Sequence, residues 1–457
     1  MVNKYSFFSP IDFRYFVDDL ADYLSEDAFT KYKLKVELAL IKTLVKYKLC
    51  PKNVIEEVEK AIGKITTAEV YQEEEKIYHD IRALVNLIRN QVSAKAKPFI
   101  HATATSYDIV DTARALMFKE AILKVVLKDM IALENVWIKL AKAEKDTLQI
   151  GRTHGQQAEP ITFGFAIAQY VDRWGNKILK LKVSAEELVG KFSGAVGAYN
   201  ASSLFIDNPE KFEKDVLVNL GLKPAQISTQ IIPPEQLTDF FHQVTSSFGV
   251  LANFADDMRH LQRTEIGEVG EPFSKNQVGS STMPQKRNPI NFENIKSAWK
   301  EFMPRMVTVY MDQISEHQRD LTNSLSSRFS PELLVMFDSS IRRMIKISGN
   351  LVVDKANMEK NFSIGADKIV AEPLQILLSF YGHPDSHETV RTLTMESYKT
   401  GKKLLDIVSQ DAGLKDYVKK FSTSQFQVIS DPKKYLGIAS EKTVKICKFW
   451  QEKINNL

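Results

Sequence analysis

The sequence contains very little cysteine, with only Cys50 and Cys447 among its 457 residues. Two cysteines cannot build a disulfide framework, and neither stands at the spacing of a metal-ligand motif. We therefore expect both to be reduced thiols, as in proteins of the cytoplasm. Nothing in the sequence indicates a bound metal or an organic cofactor.

Long apolar runs and blocks of one charge are also absent. No segment approaches the roughly 20 uninterrupted apolar residues that cross a bilayer, and the N-terminus lacks a secretory apolar core. The net charge of +4 is a small difference between 61 basic and 57 acidic residues. Because these charges alternate along the chain, the pattern argues against nucleic acid or membrane as a partner. It is compatible with an anionic small-molecule substrate.

Glycine and proline are missing from, or rare in, several very long segments, which predicts long helices. Ile109–Ile150 contains neither residue, and its apolar side chains recur every three or four positions. Mean helices are about 11–12 residues long, so runs of this length favour a long bundle extended by oligomerisation. The other runs are Thr162–Phe192, Glu235–Ile266, Asn291–Asp320 with a kink expected at Pro304, and Pro331–Leu351.

Shorter helices are predicted on both sides of these runs, and the best strand candidate is Ile227–Ile232. We expect an all-α fold of three helical domains, at residues 1–107, 108–351 and 352–457, with the long bundle in the middle. The shorter helices include Asp18–Ser25, Ala28–Leu49 and Asn53–Ile65, and those after Val352 are expected to break at Gly365, Gly382–Pro384 and Gly413.

A loop between two helical runs, Gly279–Pro289, places two small hydroxyls six residues before a lysine. A serine needs nearby positive charge and aligned backbone N–H groups to act as a base, and Lys286 could supply the charge. On composition alone, a polar surface linker is the alternative. The string Gly-Ser-Ser-Thr-Met-Pro-Gln-Lys-Arg-Asn-Pro, however, resembles the signature loop of the fumarase/aspartase superfamily at every fixed position.

A second segment, His101–Thr112, is similar to the superfamily block whose Thr and Ser bind a substrate carboxylate. By this resemblance His101, Thr105 and Ser106 are substrate-binding candidates. Two hydroxyls at a helix N-terminus can donate to an anion, although they could equally be ordinary helix caps. Where the family usually has a glycine between the His and the Thr, this chain has Ala102-Thr103-Ala104.

A third block, Gly151–Gly164, resembles the adenylosuccinate lyase branch of the superfamily. The resemblance implies that His154 is the general acid and that Thr153 contacts substrate. A histidine suits the acid role because its ordinary pKa lies near neutrality. Gln157 stands where the family often has a second histidine, so no catalytic role is assigned to it.

A fourth block, Glu316–Arg328, is similar to the same branch and implies a site for a nucleotide phosphate. The planar fork of arginine suits phosphate geometry. The alternative on spacing alone is a helix end with solvated charges. The residues that the resemblance assigns to phosphate are Arg319, Ser324 and Arg328, with Arg14 and Tyr15 from the N-terminus.

Three further positions match the family: His79 as a contributor to catalysis, Gln230 as a substrate ligand, and Glu293 as the partner of the catalytic histidine. The Glu293 carboxylate would orient an imidazole and stabilise its protonated form.

The resemblance implies a β-elimination that releases fumarate from adenylosuccinate, giving AMP, and from the purine-pathway intermediate SAICAR, giving AICAR. Ser280 would remove the proton, with Ser281 as a nearby donor, while Lys286 and Asn288 stabilise the carbanion. His154 would protonate the leaving nitrogen. The loop would close over substrate, and the family builds each site from three chains of a homotetramer.

One departure bears on the substrate. Relatives commonly carry an Arg-Asp pair after the Ser-Thr-Gln segment, where this chain has Pro234-Glu235. The open alternatives are a sister activity such as argininosuccinate lyase or fumarase, and a catalytically inactive structural relative. Retention of Ser280, Lys286 and His154 favours an active enzyme.

Overall fold

A computed structural model of the protein describes residues 6–457. Helices account for most of these residues and the few strands are short, which confirms the all-α expectation. Within this range, no helix is both long and apolar enough to cross a membrane.

The helices of the first half of the chain are interrupted by one antiparallel hairpin. A π-helical turn, Ile122–Val126, separates α6 from α7. The helices are α1 (Asp18–Leu24), α2 (Glu26–Lys46), α3 (Asn53–Ile62), α4 (Thr67–Ile77), α5 (Asp80–Gln91), α6 (Ser106–Ala121), α7 (Leu127–Ala143), α8 (Phe163–Glu186) and α9 (Pro209–Val218).

The helices of the second half of the chain range from 4 to 27 residues in length. They are α10 (Glu235–Leu261), α11 (Ile290–Phe302), α12 (Arg305–Met311), α13 (Ser330–Ser348), α14 (Lys355–Ile369), α15 (Ala371–Phe380), α16 (Ser386–Thr400), α17 (Leu404–Gln410), α18 (Lys415–Val418), α19 (Thr423–Ser430) and α20 (Ala439–Ile454).

The strands form three two-stranded pairs, of which only the first is a substantial hairpin. The pairs are β1 (Leu148–Thr153) with β2 (Gln156–Thr162), β3 (Val189–Gly190) with β4 (Lys223–Pro224), and β5 (Val269–Gly270) with β6 (Val352–Val353).

The described chain divides into two compact units, each built from three separate stretches of sequence. The expected division into three consecutive domains stays a prediction. The first unit is the described part of Met1–Ile131 with Asn176–Leu251 and Ser297–Arg342, and the second is Ala132–Gly175, Ala252–Lys296 and Arg343–Leu457.

Each unit has its own aromatic core. In the first, the Phe118 ring packs edge-on against Phe241 at 5.2 Å, which fixes α6 against α10. In the second, Trp137 stacks on Phe254 at 4.5 Å, and its indole N–H donates to the Ser348 hydroxyl at 3.1 Å. Such contacts bury large apolar areas while the polar tip keeps a partner.

The long run Ile109–Ile150 was expected to be one helix, and this is wrong at its C-terminal end. Helix α7 ends at Ala143, and Leu148–Ile150 belongs to β1. The Phe163 N–H donates to the Thr147 carbonyl at 2.8 Å, next to the Leu148–Thr162 pair at the open end of the hairpin. The apolar residues at 148 and 150 are two positions apart, which fits the period of a strand, and both pair with β2.

The expected strand at Ile227–Ile232 is also wrong. Its backbone donors have partners outside any ladder: the Gln230 N–H donates to the Gln318 carbonyl, and the Ile232 N–H donates to the Asp111 carboxylate at 3.0 Å. The following Pro233-Pro234 pair removes two further donors, which disfavours strand pairing.

Two helix breaks also differ from expectation. Pro304 separates α11 from α12 rather than kinking one helix, and the chain from Asp312 to Asp320 is irregular because the Asn323 amide donates to the Asp312 carbonyl at 2.6 Å. Gly365 does not break a helix but lies inside α14, where a Cβ would come within 2.2 Å of the Gln157 side chain.

Candidate active site

Five residues that the sequence assigns to the active site line one cavity of the first unit, with a volume of about 700 Å³. They come from four well-separated parts of the chain, which the fold of this unit brings together. They are His79, Ser106, Gln230, Ser324 and Arg328.

Helix α6 begins at Ser106, which lines the cavity, and Thr105 is its N-cap residue. The Asp108 carboxylate accepts the Thr105 N–H at 2.8 Å. Asp108 is fully buried and forms an ion pair with the equally buried Lys191, a pairing that no sequence pattern predicts. A buried charge needs such a partner, so this pair fixes the start of α6.

His79 is the N-cap of α5, and its Nδ1 accepts the Arg82 N–H at 3.2 Å. An Nδ1 that accepts a hydrogen bond leaves the neutral ring with its proton on Nε2. The imidazole that lines the cavity is thus held in the form that donates from Nε2.

His101 is not among the residues that line this cavity. Its Nδ1 lies 2.6 Å from the carboxylate of the buried Glu37. Burial alone would lower the pKa of His101, but the Glu37 charge and hydrogen bond outweigh it, so the pKa is raised. Nearby, Thr103 has a φ of 67°, a conformation that favours glycine.

The expected phosphate residues divide between two cavities of the first unit. Ser324 and Arg328 line the larger one, whereas Arg319 lines a smaller cavity of about 110 Å³. The Arg319 guanidinium lies 4.2 Å over the ring of Tyr107 and donates to its hydroxyl. Arg14 and Tyr15 follow the Pro10–Asp12 turn and line neither cavity, although Asp12 and Phe16 beside them line the larger one.

His154 and Gly155 form the tip of the β1–β2 hairpin in the second unit, with φ values of 54° and 75°. Two positive φ angles define the tight turn that matches strand twist, a place that usually favours Asn-Gly. His154 and Thr153 are both exposed. The hairpin therefore presents an imidazole at its outermost point.

Glu268 anchors strand β1 of this hairpin, and the sequence assigned no role to it. It is fully buried, and its carboxylate lies 2.5 Å from the Arg152 guanidinium. The Gln149 amide donates to the same carboxylate at 2.8 Å and the Asn361 amide at 2.9 Å. Because no local pattern links positions so far apart in sequence, only the fold shows this network.

The signature loop has a defined internal geometry. The Ser280 hydroxyl oxygen accepts the N–H groups of Thr282 at 3.3 Å and Met283 at 3.1 Å. The Asn288 amide donates to the Gly279 carbonyl at 3.0 Å, which ties the two ends of the loop. A Cβ at Gly279 would lie 1.8 Å from the Lys286 carbonyl, so this close approach requires glycine. Ser281 and Lys286 are exposed.

Glu271 anchors the helix that follows the loop. Its carboxylate accepts the N–H groups of Asn291 at 2.8 Å and Phe292 at 2.7 Å, at the start of α11. Glu293 lies in the first turn of α11. Within residues 6–457 of this single chain, no hydrogen bond or ion pair joins Glu293 to His154.

Two protein families match separate parts of the chain. Residues 14–302 match a family described as lyase, and residues 315–427 match one described as adenylosuccinate lyase C-terminal. The adenylosuccinate lyase of Pyrococcus abyssi is 35% identical, and the alignment covers 97% of this chain and 98% of that protein. The adenylosuccinate lyase of Pyrococcus horikoshii is 33% identical over the same shares.

Among solved structures, the 3-carboxy-cis,cis-muconate lactonizing enzyme of Pseudomonas putida has the same fold. Its TM-score is 0.82 at 22% identity, covering 97% of this chain and 99% of that one.

Proposed function

The chain belongs to the adenylosuccinate lyase family, and from this premise we propose that it releases fumarate from adenylosuccinate by β-elimination, leaving AMP. The same chemistry would convert SAICAR to AICAR. The observation that carries the proposal is the large cavity of the first unit, where His79, Ser106 and Arg328 meet although they are far apart in sequence.

Ser280 is the proposed base. Its hydroxyl oxygen already accepts two backbone N–H groups, and such donors stabilise negative charge on that atom. It removes the proton beta to the nitrogen, next to a substrate carboxylate. The resulting carbanion spreads its charge into that carboxylate, which Lys286 and Asn288 stabilise electrostatically.

His154 is the proposed acid. The electron pair left by the proton forms the carbon–carbon double bond, the carbon–nitrogen bond breaks, and the nitrogen takes a proton from the imidazole. The Arg152–Glu268 pair supports this role because it anchors the hairpin that carries His154. Glu293 is proposed to pair with that imidazole and stabilise its protonated form.

The carboxylates and the phosphate of the substrate are assigned to different sets of residues. Thr105, Ser106 and Thr153 are proposed to bind succinyl carboxylates, with His101, Gln230 and Ser281 contributing further contacts to substrate. Arginine forks bind phosphate with two parallel hydrogen bonds, so Arg319 and Arg328 with Ser324 are assigned to the phosphate, together with Arg14 and Tyr15.

We propose that the protein works as a homotetramer in the cytoplasm, with each site shared between subunits. Two features support a shared site: the exposed position of His154 at a hairpin tip and the exposed Lys286 in the signature loop. The two buried, unpaired cysteines are compatible with a reducing compartment.

An ultraviolet assay of purified protein with adenylosuccinate tests the proposal, with fumarate and AMP as the expected products. Ser280→Ala and His154→Gln should each lose most turnover while the assembly persists. Activity on argininosuccinate or malate, with none on adenylosuccinate, would retain the elimination chemistry and reject the proposed substrate.

A further inference from the structure

Arg114 lies two turns into α6 and lines both the larger and the smaller cavity of the first unit. Tyr107, one residue after the start of the same helix, also lines both. Residues seven apart on a helix lie on nearly the same face, so Arg114 continues the surface that Tyr107 begins.

The Arg114 guanidinium is half-buried and has no hydrogen bond or ion pair among the residues that the structure describes. Its guanidinium carbon lies 5.8 Å from the centre of the Phe29 ring. A guanidinium carries five N–H donors, and removing them from water without partners is costly. A ligand that enters the cavity would supply those partners.

The Arg114 charge interacts electrostatically with two carboxylates, Asp111 and Asp312, to which it forms no hydrogen bond or ion pair among the described residues. Burial raises the pKa of Asp111 and that of Asp312, and the Arg114 charge opposes the rise in both. Arg114 could therefore serve only as a structural counter-charge to these two carboxylates. The experiment has to distinguish that role from ligand binding.

The side chains around Arg114 indicate the kind of ligand. Ser327 lines both cavities as well, Ser324 and Arg328 line the larger one, and Arg319 lines the smaller one. Guanidinium groups and hydroxyls together suit a phosphate monoester better than a carboxylate, because three oxygens are available to accept their hydrogen bonds.

We propose that Arg114 is a substrate-binding residue that contacts the nucleotide phosphate. This inference rests on the proposed function, because it assigns the phosphate of that substrate to a further residue. Arg114 is added to Arg319 and Arg328, which remain assigned to the phosphate.

The test compares binding of AMP with binding of adenosine, which lacks only the phosphate. Dissociation constants are measured by calorimetry for the native protein, Arg114→Gln and Arg114→Lys. Arg391→Gln is the control, because it removes one positive charge from an exposed arginine whose partner is Glu388. Arg114→Gln should weaken AMP binding about 10- to 100-fold, the effect of one charge-assisted contact, while adenosine binding changes less than about twofold.

Arg114→Lys should recover part of the AMP affinity, and Arg391→Gln should match the native protein. Equal weakening of AMP and adenosine in Arg114→Gln would overturn the inference and assign Arg114 to the counter-charge role. Unchanged AMP binding would overturn it as well. If the native protein neither binds AMP nor converts adenylosuccinate, the proposed function itself fails and the inference falls with it. If Arg114→Gln does not fold, the Arg114→Lys comparison decides by the same criterion.

Discussion

Arg152 and Glu268 form an ion pair 2.5 Å long, although 116 positions separate them in the sequence. The pair joins strand β1, close to the hairpin tip, to a segment that precedes the signature loop, within one compact unit. It thereby gives a single buried anchor to the segment that carries the proposed acid and to the segment that leads to the proposed base.

Glu268→Gln should therefore lower both activity and stability. The change keeps the side-chain shape but leaves the Arg152 charge without a counter-ion, which costs roughly 3–5 kcal/mol when the pair is buried and less here because Arg152 is partly exposed. We expect a clear fall in melting temperature and about a 10- to 100-fold loss of kcat, since small misplacements of catalytic groups are costly. Glu388→Gln, in an exposed ion pair, is the control and should be near native. If Glu268→Gln kept the native kcat, the Arg152–Glu268 pair would not be needed to position the catalytic groups.

Gln262 links the segment before the signature loop to the C-terminal part of the loop. Its side-chain oxygen accepts the Glu271 N–H at 2.9 Å, and its amide donates to the Arg287 carbonyl at 3.2 Å. Gln262→Leu breaks both bonds, so trypsin should cleave several-fold faster after Lys275, Lys286 and Arg287, and KM should rise. Gln410→Leu, at an exposed helix end, should digest at the native rate. Equal digestion of Gln262→Leu and native protein would contradict this role.

Asp338 makes the stability of the first unit depend on pH. Burial and the neighbouring Asp129 carboxylate raise the pKa of Asp338 to about 7, against the opposing charge of Arg342. A carboxyl whose pKa is higher in the folded state binds more protons there, so stability falls as pH rises from about 4 to 7. This group should destabilise the protein by on the order of 2–4 kcal/mol at pH 8 relative to pH 4.

Asp338→Asn should therefore raise the melting temperature at pH 8 and have a smaller effect at pH 5. The amide has no proton to lose and can donate to Asp129. Melting temperatures measured at both pH values check this, and a variant that is less stable than the native protein at pH 8 would contradict it.

Gly175 allows the C-terminal helix α20 to pack against α8 in the second unit. A Cβ there would lie 2.3 Å from the ring of Trp450, and the ring cannot move freely because its indole N–H donates to Asp172 at 2.9 Å. Gly175→Ala should destabilise by about 1–3 kcal/mol through overpacking. Gly249→Ala, also inside a helix but with 3.6 Å to its nearest neighbour, should be neutral or slightly stabilising. A native melting temperature in Gly175→Ala would show that this contact is not tight.

The sequence predicted the long helices and the cavity residues for different reasons. Helices α8, α10 and α13 follow from apolar period and from scarce glycine and proline, which are local properties. His79, Ser106 and Arg328 were found through motifs, and their meeting in one cavity agrees with that grouping. Features that depend on distant partners could not be found in this way. Lys191 pairs with Asp108 and Glu268 pairs with Arg152 across long stretches of chain. Ile227–Ile232 is irregular because two of its backbone donors bind Asp111 of α6 and the distant Gln318 carbonyl.

The most direct test of the account is activity in mixed assemblies of two inactive variants, because its central claim is a site whose parts come from different subunits. Ser280→Ala disables the signature loop, and Arg328→Ala disables the phosphate end of the first-unit cavity. After the two proteins are dissociated together and reassembled, hybrids should recover up to about one quarter of native activity, since each site draws the two parts independently from equal pools. Tag exchange shows whether the subunits have mixed. If mixed samples recover no activity, the account is contradicted and each site lies within one chain.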